Sequence, residues 1–111
     1  MSERLDDTFA ALSDPTRRAA IALLCEQPLR SSDLAEALGI SRPTMSRHLK
    51  VLRQAGLVEE EIAQADARER LYQVRRASFA HLREWLDEVE AFWGEQLAAF
   101  KTHAERKDRR R

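Results

Sequence analysis

The chain is poor in the residues that cross-link a fold or interrupt helices: its 111 residues include one cysteine, three glycines and three prolines. A single cysteine, Cys25, excludes an internal disulfide and suits a reducing compartment. Few glycines and prolines favour a mainly helical domain with a modest core. No stretch approaches the roughly 20 consecutive apolar residues that a membrane span needs. The sequence therefore predicts a cytoplasmic protein with no membrane partner.

Acidic residues are absent from one segment of the chain. The net charge is zero, with 19 basic and 19 acidic residues, yet residues 42 to 54 contain four bases and no acid. Acids collect instead at residues 59 to 61 and along residues 84 to 95, and the tail from Lys101 is mostly basic. This segregation predicts a basic surface for DNA, so overall neutrality does not argue against nucleic-acid binding.

Residues 31 to 58 have the pattern of a helix-turn-helix. Ser31 or Ser32 is suited to cap a first helix, and Gly39 is suited to end it because glycine accepts a positive φ. Ser41 is suited to cap a second helix that begins at Arg42. Helical spacing predicts that this second helix buries three residues, namely Met45, Leu49 and Leu52.

The second helix of such a motif enters the major groove of DNA. The residues predicted to contact DNA from this helix and its cap are Ser41, Arg42, Pro43, Thr44, Ser46, Arg47, His48 and Lys50. For His48, packing against the wing, a hairpin predicted after this helix, is an equal alternative. For the whole face, the alternative is a basic helix that is merely exposed to solvent.

From Gly56 to Arg76 the apolar residues no longer follow helical spacing. They form two short segments with the spacing of β-strands, one on each side of a polar centre. This pattern predicts a β-hairpin with its tip near residues 66 to 69. A hairpin after a helix-turn-helix is a wing, and Arg68 and Arg70 are predicted to reach phosphates or the minor groove from it. An exposed polar loop is the alternative.

Three further helices are predicted. Residues 3 to 13 and a segment from Pro15 to near Pro28 precede the motif, and residues 78 to 104 form the longest helix. Its apolar stripe, with Trp85 and Phe92 at the border, is longer than so small a domain can cover. A dimer interface is therefore predicted at Leu5, Phe9, Leu82, Leu86, Val89, Trp93, Leu97 and Phe100. Packing of the stripe within one chain is the alternative.

These elements predict a mainly α fold with a β-hairpin wing, a homodimeric winged helix-turn-helix in the order α-α-α-α-β-β-α. We expect a single DNA-binding and dimerisation domain over residues 1 to 104. The basic residues 105 to 111 are expected to form a disordered tail.

Three segments together resemble the ArsR/SmtB family of winged-helix transcriptional repressors: LSDPTRRAAIALL at 12 to 24, DLAEALGISRPTMSRHLKVLRQAGLVEE at 33 to 60, and RLYQV at 70 to 74. The resemblance implies a homodimer that binds a palindromic operator in double-stranded DNA and leaves it when a signal binds. It also implies that the bases are faced by Arg42, Pro43, Ser46 and Arg47. Many relatives have Gln and Ser in place of Arg42 and Pro43, so the operator sequence does not carry over.

The known metal sites of that family do not match this chain. Metal-sensing members often have a Cys-x-Cys pair on the helix before the turn, where residues 29 to 33 here contain no thiol. Others use histidines on the last helix, but His81 and His103 do not complete that pattern. We therefore predict no metal and no cofactor, as in the subgroup without recognised metal ligands. Cys25 is predicted to be a buried small hydrophobe, with a redox-sensing thiol as the alternative.

The predicted function is a sequence-specific DNA-binding repressor. No nucleophile with a base, paired carboxylates or phosphate-binding loop occurs at a plausible spacing, so an enzyme is not expected. A winged-helix module for protein interaction, without specific DNA binding, is the alternative from another class. A thiol-responsive or metal-responsive repressor and an unidentified small-molecule effector also remain open.

Overall fold

The computed structural model describes residues 3 to 62 and 70 to 109. Its elements, in chain order, are α1 (Glu3–Leu12), α2 (Pro15–Glu26), β1 (Leu29–Arg30), α3 (Ser31–Leu38), α4 (Arg42–Gln54), β2 (Val58–Ile62), β3 (Arg70–Val74) and α5 (Arg76–Arg109). The predicted fold class, a mainly helical winged helix-turn-helix, is confirmed. The chain divides into two compact units, Met1–Phe79 and Ala80–Arg111.

The three strands form one antiparallel sheet in the order β1-β3-β2. In the hairpin, Val58 lies opposite Val74 and Glu60 lies opposite Tyr72. The strand β1, which adds Leu29 opposite Tyr72 at the other edge of β3, is missing from the predicted element order. A strand of two residues cannot display an alternating pattern, so the sequence gives no sign of it.

The core of the first unit lies beneath the helix-turn-helix. Its largest fully buried side chains come from α3, α4 and the start of the hairpin: Leu34, Met45, Leu49, Leu52, Leu57 and Val58. The predicted buried stripe of α4 is thus confirmed. Because this stripe is held in the core, the opposite side of α4 faces outward.

Two carboxylates begin the helices α2 and α3. Asp14 Oδ1 accepts hydrogen bonds from the backbone N–H groups of Thr16 at 2.7 Å and Arg17 at 3.2 Å. The predicted serine cap of α3 is wrong, because Arg30 holds the N-cap position and donates its backbone N–H to Asp33 Oδ2 at 3.2 Å. A carboxylate three residues into the helix satisfies the same end of the chain without a serine hydroxyl.

The last helix is longer than predicted. It spans 34 residues, a length of about 50 Å at 1.5 Å per residue. Residues 105 to 109, which the sequence predicts to belong to a disordered tail, continue this helix. Glu, Arg and Lys are good helix formers, so the end of the apolar stripe does not mark the end of the helix. Within the described residues, no helix has both the length and the apolarity required to span a membrane.

Candidate nucleic-acid interface

The turn between α3 and α4 is built around Gly39. This residue has φ of 66°, in the left-handed region that glycine adopts without strain. Its N–H donates to the carbonyl of Glu36 at 3.2 Å, and the N–H of Ile40 donates to the carbonyl of Ala35 at 3.1 Å. The predicted glycine turn is confirmed, and these two hydrogen bonds fix where α4 begins relative to α3.

Ser41 caps α4, as predicted. Its Oγ accepts a hydrogen bond from the backbone N–H of Thr44 at 3.3 Å and donates one to Thr44 Oγ1 at 2.8 Å. Pro43 lies in the first turn, where a missing N–H costs no helical hydrogen bond. Both hydroxyls therefore help to start the helix that presents the neighbouring basic side chains.

The outward side of α4 carries a set of side chains that we call the basic face. All of its members are exposed: Arg42, Pro43, Ser46, Arg47 and Lys50. Among the described residues, none of the three bases in this set forms an ion pair with an acid. Their charges are therefore available to a polyanion.

His48 lies beside this face but is half-buried. Its Nδ1 is 3.4 Å from Nη1 of Arg17, and Nε of the same arginine donates to the carbonyl of Ala11 at 2.6 Å. The polar contact that the structure gives His48 is thus with α2 rather than with the hairpin. Arg17 connects the end of α1, the start of α2 and the middle of α4.

Near the other end of α4, one carboxylate gathers three donors in what we call the Glu60 cluster. Oε1 of Glu60 accepts hydrogen bonds from Arg53 Nη1 at 2.8 Å and from the hydroxyl of Tyr72 at 2.7 Å. Oε2 lies 3.5 Å from Nη1 of Arg70. Burial, followed by the hydrogen bond to Glu60, raises the pKa of Tyr72 to about 12.

The Glu60 cluster shows that two arginines near the predicted DNA-binding surface already have an acidic partner. Arg53, the fourth base of α4, is paired with an acid of its own chain, and so is Arg70, which the sequence predicts at the DNA. The pairing joins the end of a helix to a neighbouring hairpin, so it has no local spacing that the sequence could display. Arg68, the other predicted wing contact, lies outside the described residues.

The part of α5 in the second unit displays an apolar surface. Its exposed large hydrophobic residues, which we call the α5 stripe, are Leu86, Phe92, Trp93, Leu97 and Phe100, and their exposed fractions rise from 43% to 71%. The rings of Phe92 and Trp93 pack edge to face with centroids 6.1 Å apart. The sequence placed Phe92 only at the border of this surface. Leu82 and Val89, also predicted at the dimer interface, are half-buried.

The two predicted interface residues on α1 differ in exposure. Phe9 is 41% exposed, whereas Leu5 is 8% exposed. A leucine so buried in a single chain has little surface to offer a second subunit. On this side of α1, Thr8 is likewise buried, with 2% of its surface exposed. The interface role of Leu5 stays a prediction.

Cys25 is exposed, so the prediction of a buried cysteine is wrong. It is the second-to-last residue of α2, where Leu24 takes the buried position and the helix end leaves the core. The thiol lines an open cavity of about 560 Å³ that also borders Val74, Arg76 and Phe79. Among the described residues, no group of three histidine, cysteine or acidic side chains is placed to hold a metal ion.

The chain is similar to known regulators of transcription. Residues 14 to 60 match the family described as bacterial regulatory protein, arsR family. The chain is 40% identical over 95 residues to the HTH-type transcriptional regulator Rv2034 of Mycobacterium tuberculosis, covering 86% of this chain and 83% of that protein. It is 39% identical over 56 residues to the transcriptional repressor SdpR of Bacillus subtilis, covering 50% of this chain and 62% of that protein.

Solved structures agree with the sequence relatives. An ArsR-like transcriptional regulator from Rhodococcus sp. RHA1 superposes with a TM-score of 0.74 at 34% identity, covering 89% of this chain and 91% of the other. The similarity to these proteins therefore covers far more of the chain than residues 14 to 60.

Proposed function

This chain belongs to the ArsR family of DNA-binding transcriptional regulators, and from that premise we propose that it is a repressor that binds a palindromic operator as a homodimer. The observation that carries the proposal is the basic face of α4, whose three bases have no acid partner among the described residues. A helix used only to contact another protein would have no need of three free bases on one side. A repressor needs these basic side chains to bind the phosphates and the nucleobases of DNA.

The N-terminal half of α4 supplies the base contacts in this proposal. Arg42, Pro43, Ser46 and Arg47 enter the major groove, where an arginine can donate two hydrogen bonds to O6 and N7 of a guanine. Lys50, one turn further along, holds a phosphate. The Ser41 and Thr44 hydroxyls position the start of the helix, and His48 lies behind it against Arg17.

The α5 stripe provides the contact between subunits. Soluble monomers rarely expose a continuous apolar surface of this kind, and the partner proposed for it is a second copy of the chain. Two-fold symmetry then presents two copies of α4 to major grooves about 34–36 Å apart, one helical turn of DNA. The proposal keeps a single DNA-binding and dimerisation domain over residues 1 to 104.

The repressor acts by occupying promoter DNA, which places it in the cytoplasm and requires no catalytic step. A small molecule that binds the regulator and releases it from DNA is the partner that completes the scheme. We expect no metal in this role, because the chain has one cysteine and His81 and His103 do not complete a ligand pattern.

Selection of bound duplexes from random oligonucleotides tests the proposal. The expected product is a two-fold symmetric sequence that binds far more tightly than either half-site, with an affinity that falls steeply as salt rises. A protein-interaction module would give no enriched sequence. Enrichment of a single half-site, or an affinity independent of salt, would refute the homodimeric repressor.

A further inference from the structure

The Glu60 cluster lies where α4, the recognition helix of the motif, meets the hairpin of β2 and β3, which is its wing. Glu60 is on β2, Tyr72 and Arg70 are on the neighbouring strand β3, and Arg53 is in the last turn of α4. The carboxylate uses both oxygens, and its side chain is only 23% exposed. The carboxylate is therefore less hydrated than one on the open surface, while its partners Arg53 and Arg70 are 48% and 66% exposed.

We propose that Glu60 is a positioning residue that holds the wing to the end of α4 and keeps Arg53 and Arg70 from binding phosphates nonspecifically. The inference rests on the proposed DNA-binding function. It adds a residue that no base or phosphate touches and that sets how strongly the protein binds DNA of any sequence.

Charge accounts for the direction of the effect. An arginine that leaves Glu60 for a phosphate leaves a half-buried carboxylate short of donors, which opposes the exchange. Phosphate contacts add affinity for every sequence alike, whereas base contacts discriminate. Keeping two arginines away from the DNA phosphates therefore lowers the affinity for random DNA. Contacts to the nucleobases are then made by Arg42 and Arg47.

Tyr72 adds a neutral hydrogen bond to the ion pairs of Glu60. Its hydroxyl donates to the same oxygen that accepts from Arg53, so the helix end and the central strand of the sheet share one acceptor. The wing and the recognition helix are thereby held at one separation.

The variants E60Q and E61Q form a matched test in the full-length protein. Both remove one negative charge from β2, but Glu61 forms no ion pair among the described residues. Equilibrium binding to a random duplex is measured over a range of salt concentrations, together with binding to the selected operator. We expect the plot of log affinity against log salt to be steeper for E60Q than for E61Q by about 0.9 to 1.8, the contribution of one or two additional phosphate contacts.

E60Q should also show a smaller ratio of operator affinity to random-DNA affinity than E61Q. Equal slopes for the two variants, when the wild type binds DNA with its ordinary salt dependence, would overturn the role of Glu60 and leave the proposed function intact. A wild type that does not bind DNA would overturn both.

The variant R53Q separates charge withholding from a merely structural effect. In the wild-type background R53Q should change the slope by less than half of one phosphate contact, because Arg53 is already paired. In the E60Q background it should lower the slope by about 0.9. If E60Q does not fold, as judged by circular dichroism, R53Q alone carries the test, and a full loss of about 0.9 in the wild-type background would refute the proposal.

Discussion

Arg17 and His48 meet between α2 and α4, with Nη1 of the arginine 3.4 Å from Nδ1 of the histidine. The same guanidinium donates to the carbonyls of Ala11 at 2.6 Å and Ala10 at 3.3 Å. It therefore satisfies carbonyls at the end of α1 while it contacts the back of the recognition helix. The position of α4 is thus tied to both helices that precede the motif.

Loss of this arginine should destabilise the fold. We expect R17A to lower the free energy of unfolding by about 1–3 kcal/mol, because a half-buried charged donor and its carbonyl partners are lost together. Urea unfolding followed by circular dichroism measures the change. R83A is the control, since within the described part of the chain Arg83 pairs only with Asp87, at the surface, and its removal should change the stability by about 0.5 kcal/mol or less. Equal effects of the two variants would contradict the role of Arg17.

The basic face should divide into base-reading and phosphate-holding residues. R47A should cost about 1–3 kcal/mol of operator affinity and relax the preference at one base pair of each half-site. K50A should weaken binding to all sequences alike and reduce the salt slope by about 0.9. Competition titrations with operator and random duplexes distinguish the two patterns. If R47A weakens both duplexes equally, Arg47 holds a phosphate and base reading belongs to another residue.

The helix α4 could be predicted almost to the residue, whereas other features could not. Its cap at Ser41, its Pro43 and its buried stripe all lie within one local window, where each supports the same helix. The strand β1 is too short to show a period. The Glu60 cluster depends on how a hairpin lies against a helix end, which no local pattern encodes.

Two features depart from what the local pattern predicts. The position of Cys25 next to Leu24 predicts a buried thiol, but consecutive helical residues point about 100° apart, and only the leucine faces inward. The apolar spacing predicts that α5 ends where the apolar residues stop. Hydrophobic spacing shows which side of a helix is buried, and a charged segment such as residues 105 to 109 can continue the helix without it.

The exposure of Cys25 predicts that its replacement is tolerated. C25S should change the free energy of unfolding by about 0.5 kcal/mol or less, because an exposed side chain near a helix end gives up little packing. Thermal or urea unfolding under reducing conditions measures this. C25S should also leave operator affinity unchanged under those conditions. A loss of several kcal/mol, as expected for a polar substitution in a core, would contradict the observed position.

Acid should weaken the fold through the two helix-starting aspartates. Burial acts to raise the pKa of Asp14, but hydrogen bonds from the backbone N–H groups of Arg17 and Thr16 outweigh it and lower the pKa below 3.8. The hydrogen bond from the Arg30 side chain lowers the pKa of Asp33 below 3.8. A carboxyl group whose pKa is lower in the folded state stabilises the fold above its unfolded pKa and loses that contribution as the pH falls through its folded pKa.

The contribution of these two groups to the free energy of unfolding should therefore be constant from neutral pH to about pH 5. It should decrease once the pH is lower than about 4. Urea unfolding of the wild type and of the double variant D14N/D33N over pH 7 to 2.5 measures the dependence. The double variant should be less stable at pH 7 and should lose less stability on acidification. Parallel curves for the two proteins would show that neither aspartate contributes to the acid transition.

The α5 stripe leads to the prediction that assembly and operator binding are lost together. Trp93 is 58% exposed in the middle of the stripe and packs edge to face on Phe92, so W93A removes a large central contact. Truncation of such an aromatic at the centre of an interface costs about 2 kcal/mol or more. We expect W93A to sediment as a monomer at micromolar concentration and to retain most of its helical circular dichroism. It should bind the palindrome no better than a half-site, although the basic face is untouched.

E95A, which removes an exposed side chain two residues away on the same helix, should remain a dimer with wild-type affinity. If W93A stays dimeric, or if the wild type is a monomer at this concentration, the stripe does not join two copies of the chain and the two-fold operator model fails with it.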